Sequence, residues 1–117
     1  MTPDIEASME QACERLARAR ADLTRLIEGW RPGPSELKDA VLLEDWIPAE
    51  DTETGTMILV GDATGHPILG DRFISTSMLI WMSPDCSIAR TVSRWYRLGK
   101  RAVVAVRTDR SRPIARH

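Results

Sequence analysis

One run of apolar residues constrains this chain more than any other feature. Ile5, Met9, Ala12, Leu16, Ala19, Leu23, Leu26 and Trp30 follow one another in alternating steps of four and three. Such steps keep one face of an α-helix apolar. The spacing predicts one amphipathic helix over residues 3–28, with Thr2 as N-cap, Pro3 at the first helical position and Asp4 and Glu6 in the first turn. Gly29 and then Pro32-Gly33-Pro34 stop it. A chain of 117 residues holds one domain and no more. Two seven-residue registers are filled, and Met9, Leu16, Leu23 and Trp30 form the candidate helix interface. The stripe has two possible destinations: the protein's own core, or a second helix supplied by a protein partner or by a second copy in a homodimer.

The rest of the chain changes character. Ser35 reads as the N-cap of a short helix from Glu36 to about Leu43, with Leu37, Ala40 and Val41 facing inward. Leu42, Leu43, Trp46 and Ile47 add apolar mass, and residues 49–56 read as a polar loop. From Met57 the pattern is short β-like runs separated by turns at 61–67 and at Gly70-Asp71. Met78 to Met82 is five consecutive apolar residues, which predicts a strand covered on both faces. Ala102 to Val106 is a further strand candidate, and residues 108–117 read as a mobile basic tail. Residues 83–99 are ambiguous. Ile88, Val92, Trp95 and Tyr96 share a helical face closed by Gly99, while a strand would put Arg90 and Arg94 beside Ile88 and Val92.

Charge is unevenly spread. Residues 1–56 hold 13 acidic and 6 basic side chains, and residues 57–117 hold 4 acidic and 10 basic. From Arg90 onward the cations dominate. Asymmetry of this kind points to nucleic acid or an acidic partner, with Arg90, Arg94, Arg97, Lys100 and Arg101 on phosphates and Trp95 or Tyr96 stacked on a base. Two plainer explanations compete. The acidic half can fold back onto the basic half, and an excess of Arg over Lys (14 to 2) follows from a GC-rich genome.

Gly65-His66-Pro67, the Gly70-Asp71 turn, Thr76-Ser77, Arg90-Thr91 and Ser93-Arg94-Trp95-Tyr96-Arg97-Leu98-Gly99 together resemble an uncharacterised bacterial family of short proteins, a domain of unknown function. The resemblance covers roughly residues 42–99. A looser form of the pattern is similar to small phage and mobile-element proteins, where it looks like a β-meander. That implies strand rather than helix over residues 88–98. It implies no activity.

Enzyme chemistry finds little support. His66 lies in a turn, without a second histidine at metal-ligand spacing, and reads as a residue bonded to backbone. The glycines at 61, 65 and 70 lack phosphate-loop spacing, and Glu44-Asp45 and Glu50-Asp51 are adjacent pairs that cannot face one another. Cys13 and Cys86 fit no ligand spacing and read as small buried or half-buried residues in a reducing cytoplasm. No catalytic residue, cofactor or metal is expected. With 43% hydrophobic and 28% charged residues the chain suits an ordinary folded domain. Neither a signal peptide nor a membrane span is expected.

The expectation is an α+β single domain over residues 1–107, helical over 1–46 and β-rich over 57–107. Its long and short helices would pack on an antiparallel β-meander or small β-barrel. The expected function is that of a small non-enzymatic binding or regulatory protein working through protein–protein contact, with mobile elements as one source. The alternative is nucleic-acid binding through segment 90–112.

Overall fold

The computed structural model describes residues 3–103 together with Ala115 and Arg116. Helix α1 runs over Pro3–Ile27 as the apolar stripe predicts. It ends where Gly29 takes φ 102°, with the Gly29 amide donating to Leu26 O and the Trp30 amide to Arg25 O at 2.9 Å. A left-handed residue at this point costs glycine little and caps the last carbonyls. The expected Thr2 cap lies outside the described residues.

Helix α2 is a single turn, Pro34–Leu37. Its N-cap is Gly33 rather than Ser35, because Pro34 with its fixed φ occupies the first helical position. The Gly33 amide donates to Glu36 Oε2 at 3.0 Å. The expected helix to Leu43 stops at Leu37, and strand β1 (Val41–Glu50) begins four residues later. Val41 and Leu43 are buried while Leu42 and Glu44 are half-buried, the period of two that a strand requires. A short apolar run fits helix or strand locally; here its neighbours on both sides decide.

Those neighbours are β2 (Met57–Thr64), antiparallel to β1, and β6 (Trp95–Leu98), parallel to it. Strands β3 (Arg72–Ser75), β4 (Leu79–Met82), β5 (Ile88–Thr91) and β7 (Ala115–Arg116) complete a sheet of order β4-β5-β6-β1-β2-β3-β7. Residues 83–99 thus form the arms of a hairpin, as the family resemblance implies, and not a helix. The sheet is mixed and open. It is neither one antiparallel meander nor a closed barrel. β1-β2-β3 and β4-β5-β6 are two meanders, joined by the parallel register Val41↔Tyr96, Leu42↔Arg97, Leu43↔Leu98. A parallel pair needs a crossover, and residues 51–94 supply it, building β2, β3, β4 and β5 before β6 returns beside β1.

The core is Val41, Leu43, Trp46, Leu59, Ala63, Ile74, Ala89, Tyr96 and Leu98, with Leu69, Leu79 and Met82 packed against it. Trp46 sits in a bulge. The β1–β2 register shifts between Glu44 and Ile47, and Asp45 has φ 47°. Gly61 lies against this bulge inside β2, and a Cβ there would stand 2.9 Å from Glu44 O and 3.0 Å from Trp46 Cα. That approach explains why a glycine that reads as a turn is in a strand. The indole Nε1 of Trp46 donates to Gly99 O at 3.0 Å.

Three further expectations are corrected. β4 is half-buried along its length, with Met78 41% exposed, because among the described residues it is the edge of the sheet and pairs with β5 alone. Cys13 and Cys86 are both exposed, one on α1 and one in the β4–β5 turn at φ 59°; neither is in a disulfide. β1 extends through Glu50, so the polar loop is confined to 51–56 and closed by Asp51 N to Thr56 O at 2.8 Å. Of the expected strand at 102–106, Ala102 donates its amide to Trp46 O, and residues 104–106 lie outside the described residues. So does the expected tail, apart from the pairing of Ala115 and Arg116 with β3.

Candidate functional site

α1 divides into two halves. In its C-terminal half Ala19 and Leu26 are buried and Leu23 is half-buried. In its N-terminal half every residue from Asp4 to Arg18 is exposed, except for the half-buried Ala12. Met9 and Leu16 are 53% and 55% exposed, and Ile5 50%. The heptad positions are therefore split: Leu23 and Trp30 belong to the domain, and Met9 and Leu16 face water.

The C-terminal half is tied to the β4-β5-β6 sheet by charge and by rings. Arg90 is 4% exposed, and its Nε donates to Asp22 Oδ2 at 3.0 Å while its Nη1 donates to Thr91 O at 2.8 Å. Asp22 also pairs with Arg25. Burial pulls the Arg90 guanidinium pKa down, and the Asp22 carboxylate opposes that shift. Beside this pair Trp95 meets Trp30 at 6.1 Å and Trp81 at 6.3 Å between ring centroids. Arg25 lies 3.7 Å over Trp30, Arg31 5.4 Å from Trp81 and Arg90 5.5 Å from Trp95. Three half-buried indoles thus alternate with three guanidiniums where α1 ends on the sheet.

A groove of about 490 Å³ opens next to this cluster, between α1, the residues after α2 and the β5–β6 hairpin. Arg18 and Arg25 line it from the helix, and Arg90, Ser93, Arg94 and Trp95 from the hairpin. Asp22, Glu36 and Asp39 also line it. Glu36 is engaged locally: it accepts from Ser35 Oγ and Gly33 N, bonds that hold its carboxyl below the usual range.

The expected basic site does not assemble as one surface. Tyr96 is fully buried, because alternation along β6 turns Tyr96 and Leu98 into the core and Trp95 and Arg97 away from it. It cannot stack on a base, and its phenol pKa is pushed up to about 12 by burial. Arg90 is committed to Asp22. Arg97 is exposed and donates to Leu37 O at 3.3 Å, while Lys100 and Arg101 are exposed, the latter over the Trp46 ring at 5.6 Å. Arg94 and Trp95 are half-buried at the groove. Sequence reasoning did not bring Arg18, Asp22, Arg25, Arg31 and Trp81 together with Arg90 and Trp95. Arg18, Asp22 and Arg25 do share a helix face by spacing, but no local signal ties that face to Arg90.

Among the described residues no three His, Cys, Asp or Glu side chains are grouped to hold a metal ion. No described helix is long and apolar enough to cross a membrane. His66 is buried, and its Nδ1 accepts from the Ile68 and Leu69 amides at 3.1 and 2.9 Å, the backbone role expected of it.

This architecture, an α+β domain with an open mixed sheet and a long N-terminal helix, carries a family assignment. Over residues 14–114 the chain matches the model of a family described as "Family of unknown function (DUF6634)", and it belongs to that family. No curated protein and no solved structure gives a significant match.

Proposed function

We propose that the protein is a small non-enzymatic binding or regulatory module whose docking element is the N-terminal half of α1, and that its partner there is a second copy of the chain. The observation that carries this reading is the exposure of Met9 and Leu16 on a helix whose residues 4–18 are almost wholly open to water. An isolated helix of about 15 residues is marginal in water. A packed neighbour along the stripe removes that liability.

Charge selects the neighbour and its direction. Residues 4–14 carry Asp4, Glu6, Glu10 and Glu14 and no cation, whereas residues 15–25 carry Arg15, Arg18, Arg20 and Arg25 against Asp22. A parallel pair sets like charge on like. An antiparallel pair centred between residues 10 and 11 sets the first turn of each copy, with Asp4 and Glu6, beside Arg15 and Arg18 of the other. It also sets Met9 opposite Ala12 and Leu16 opposite Ile5, and uses none of the positions already packed on the sheet. The contact is self-complementary about a two-fold axis.

Sedimentation velocity across a hundredfold range of protein concentration tests this. The reading expects a monomer–dimer equilibrium that Met9→Asp with Leu16→Asp abolishes, while circular dichroism stays that of the folded chain. A monomer at all concentrations sinks the self-association. An unfolded double variant sinks the premise that this stripe faces water. Nucleic-acid binding is the weaker reading, since it keeps Arg97, Lys100 and Arg101 but loses Arg90 and Tyr96.

A further inference from the structure

We infer that a second groove, between the β1–β2 turn and the end of β3, is a binding site for a small neutral polyol, a ring with adjacent hydroxyl groups such as a monosaccharide or a cyclitol. The inference is independent of α1 pairing, because it uses residues between 51 and 78 rather than the Met9–Leu16 stripe.

Ser75 carries the inference. Ile74 is in the core, so alternation along β3 turns Ser75 to the opposite face of the sheet. Ser75 is 7% exposed, and its hydroxyl has no hydrogen-bond partner among the described residues. It lines a groove of about 370 Å³. A hydroxyl withdrawn from water takes a partner from whatever occupies the space beside it. Here that space is the groove, and the hydroxyl offers it one proton and two lone pairs.

The surroundings set the chemistry of the ligand. Thr76 and Ser77 build the wall beside Ser75 and hold it rigid. Thr76 Oγ1 accepts from the Leu59 amide at 2.9 Å and donates to Ser77 O at 2.8 Å. Ser77 Oγ donates to Ser93 Oγ at 2.9 Å and accepts from the Ser93 amide at 3.2 Å. The turn supplies a second polar point. Thr54 Oγ1 and Thr56 Oγ1 lie 2.7 Å apart, so one donates to the other and a single proton is left to give away. Both points therefore donate and accept, as the hydroxyls of a polyol do. No Lys or Arg is among the described residues that line the groove, and the Asp51 carboxylate is, which disfavours an anion. Ile58 and Met78 add apolar surface for the C–H groups of a ring. An apolar lining with a few fixed polar groups, in a volume of about 370 Å³, is that of a small-ligand site.

Titration of the full chain with glucose, myo-inositol and cyclohexanol, followed by amide chemical shifts in NMR, tests the inference. At least one of the two polyols is expected to bind in the millimolar range, with shifts centred on residues 54–58 and 75–78. Cyclohexanol, a ring of similar size with one hydroxyl, is expected to bind far more weakly. Ser75→Ala is expected to weaken the polyol about tenfold. Thr56→Val, on the turn, is expected to weaken it several-fold with unchanged circular dichroism, and it keeps the test open if Ser75→Ala does not fold. Cyclohexanol binding as well as the polyols overturns recognition through hydroxyls. Binding of neither polyol, shifts centred elsewhere, or an affinity unmoved by both substitutions overturns the site.

Discussion

Asp22 and Arg90, 68 positions apart, meet at 3.0 Å between Oδ2 and Nε and fasten α1 to the sheet. Both side chains are largely withdrawn from water, at 14% and 5% exposure. Removing one partner leaves the other buried and uncompensated. Asp22→Asn is expected to lower stability by about 2–4 kcal/mol in urea unfolding. The double variant Asp22→Leu with Arg90→Met is expected to lose less than the sum of its parts. Strict additivity would show that the pair is not coupled.

The chain has one tyrosine, so absorbance at 295 nm reports Tyr96 alone. Its pKa is raised from 10.0 to about 12 by burial. The folded state therefore holds the phenol proton more tightly than the unfolded state does. The corresponding stability is fully present below pH 10 and is lost between about pH 10 and 12, about 2–3 kcal/mol in all. Tyrosinate should appear together with loss of the near-ultraviolet circular dichroism signal. Tyrosinate forming near pH 10 in the folded protein would contradict the burial.

Gly61 leaves no room for a side chain against the β1 bulge. Gly61→Ala places a methyl group 2.9 Å from Glu44 O and 3.0 Å from Leu43 Cγ. Two of its three close neighbours are backbone atoms, which cannot swing aside. The expected cost is about 2–3 kcal/mol, read as a lowered denaturant midpoint. Gly55→Ala, where nothing lies within 4 Å but φ is 71°, should cost about 1 kcal/mol through backbone strain alone.

His66 holds its turn through Nδ1, which accepts two backbone amides. His66→Leu keeps the bulk but removes the acceptor, at a cost of about 1–2 kcal/mol. His66→Asn offers a side-chain oxygen near the same place and should recover part of that loss. Thermal unfolding of the two variants gives the comparison, and equal melting temperatures would remove the acceptor role.

Local pattern made α1 legible, because its apolar steps and the Gly29 and Pro32-Gly33-Pro34 punctuation lie within one stretch of chain. The β5–β6 hairpin was ambiguous by periodicity, since Ile88, Val92 and Tyr96 satisfy both periods; the family resemblance tipped it to strand. Val41-Leu42-Leu43 misled, because a strand between two others shows no alternation of polarity to tell it from a helix end. The bulge at Asp45 shifts the register by one residue, so Trp46 enters the core without keeping the pattern of Val41 and Leu43. Nothing near Arg90 signals Asp22, and nothing near Trp95 signals Trp30 or Trp81. The groove is a product of tertiary packing between distant segments.

The parallel seam between β1 and β6 sets an order of events during synthesis. Each meander is stitched from neighbouring strands and can form while little chain is available. Val41 and Leu43, however, wait for Tyr96 and Leu98 before their ladder closes. For all the time that residues 44–95 take to emerge from the ribosome, an apolar central strand has one edge open. During that interval nascent chains on the same message are exposed to one another through β1.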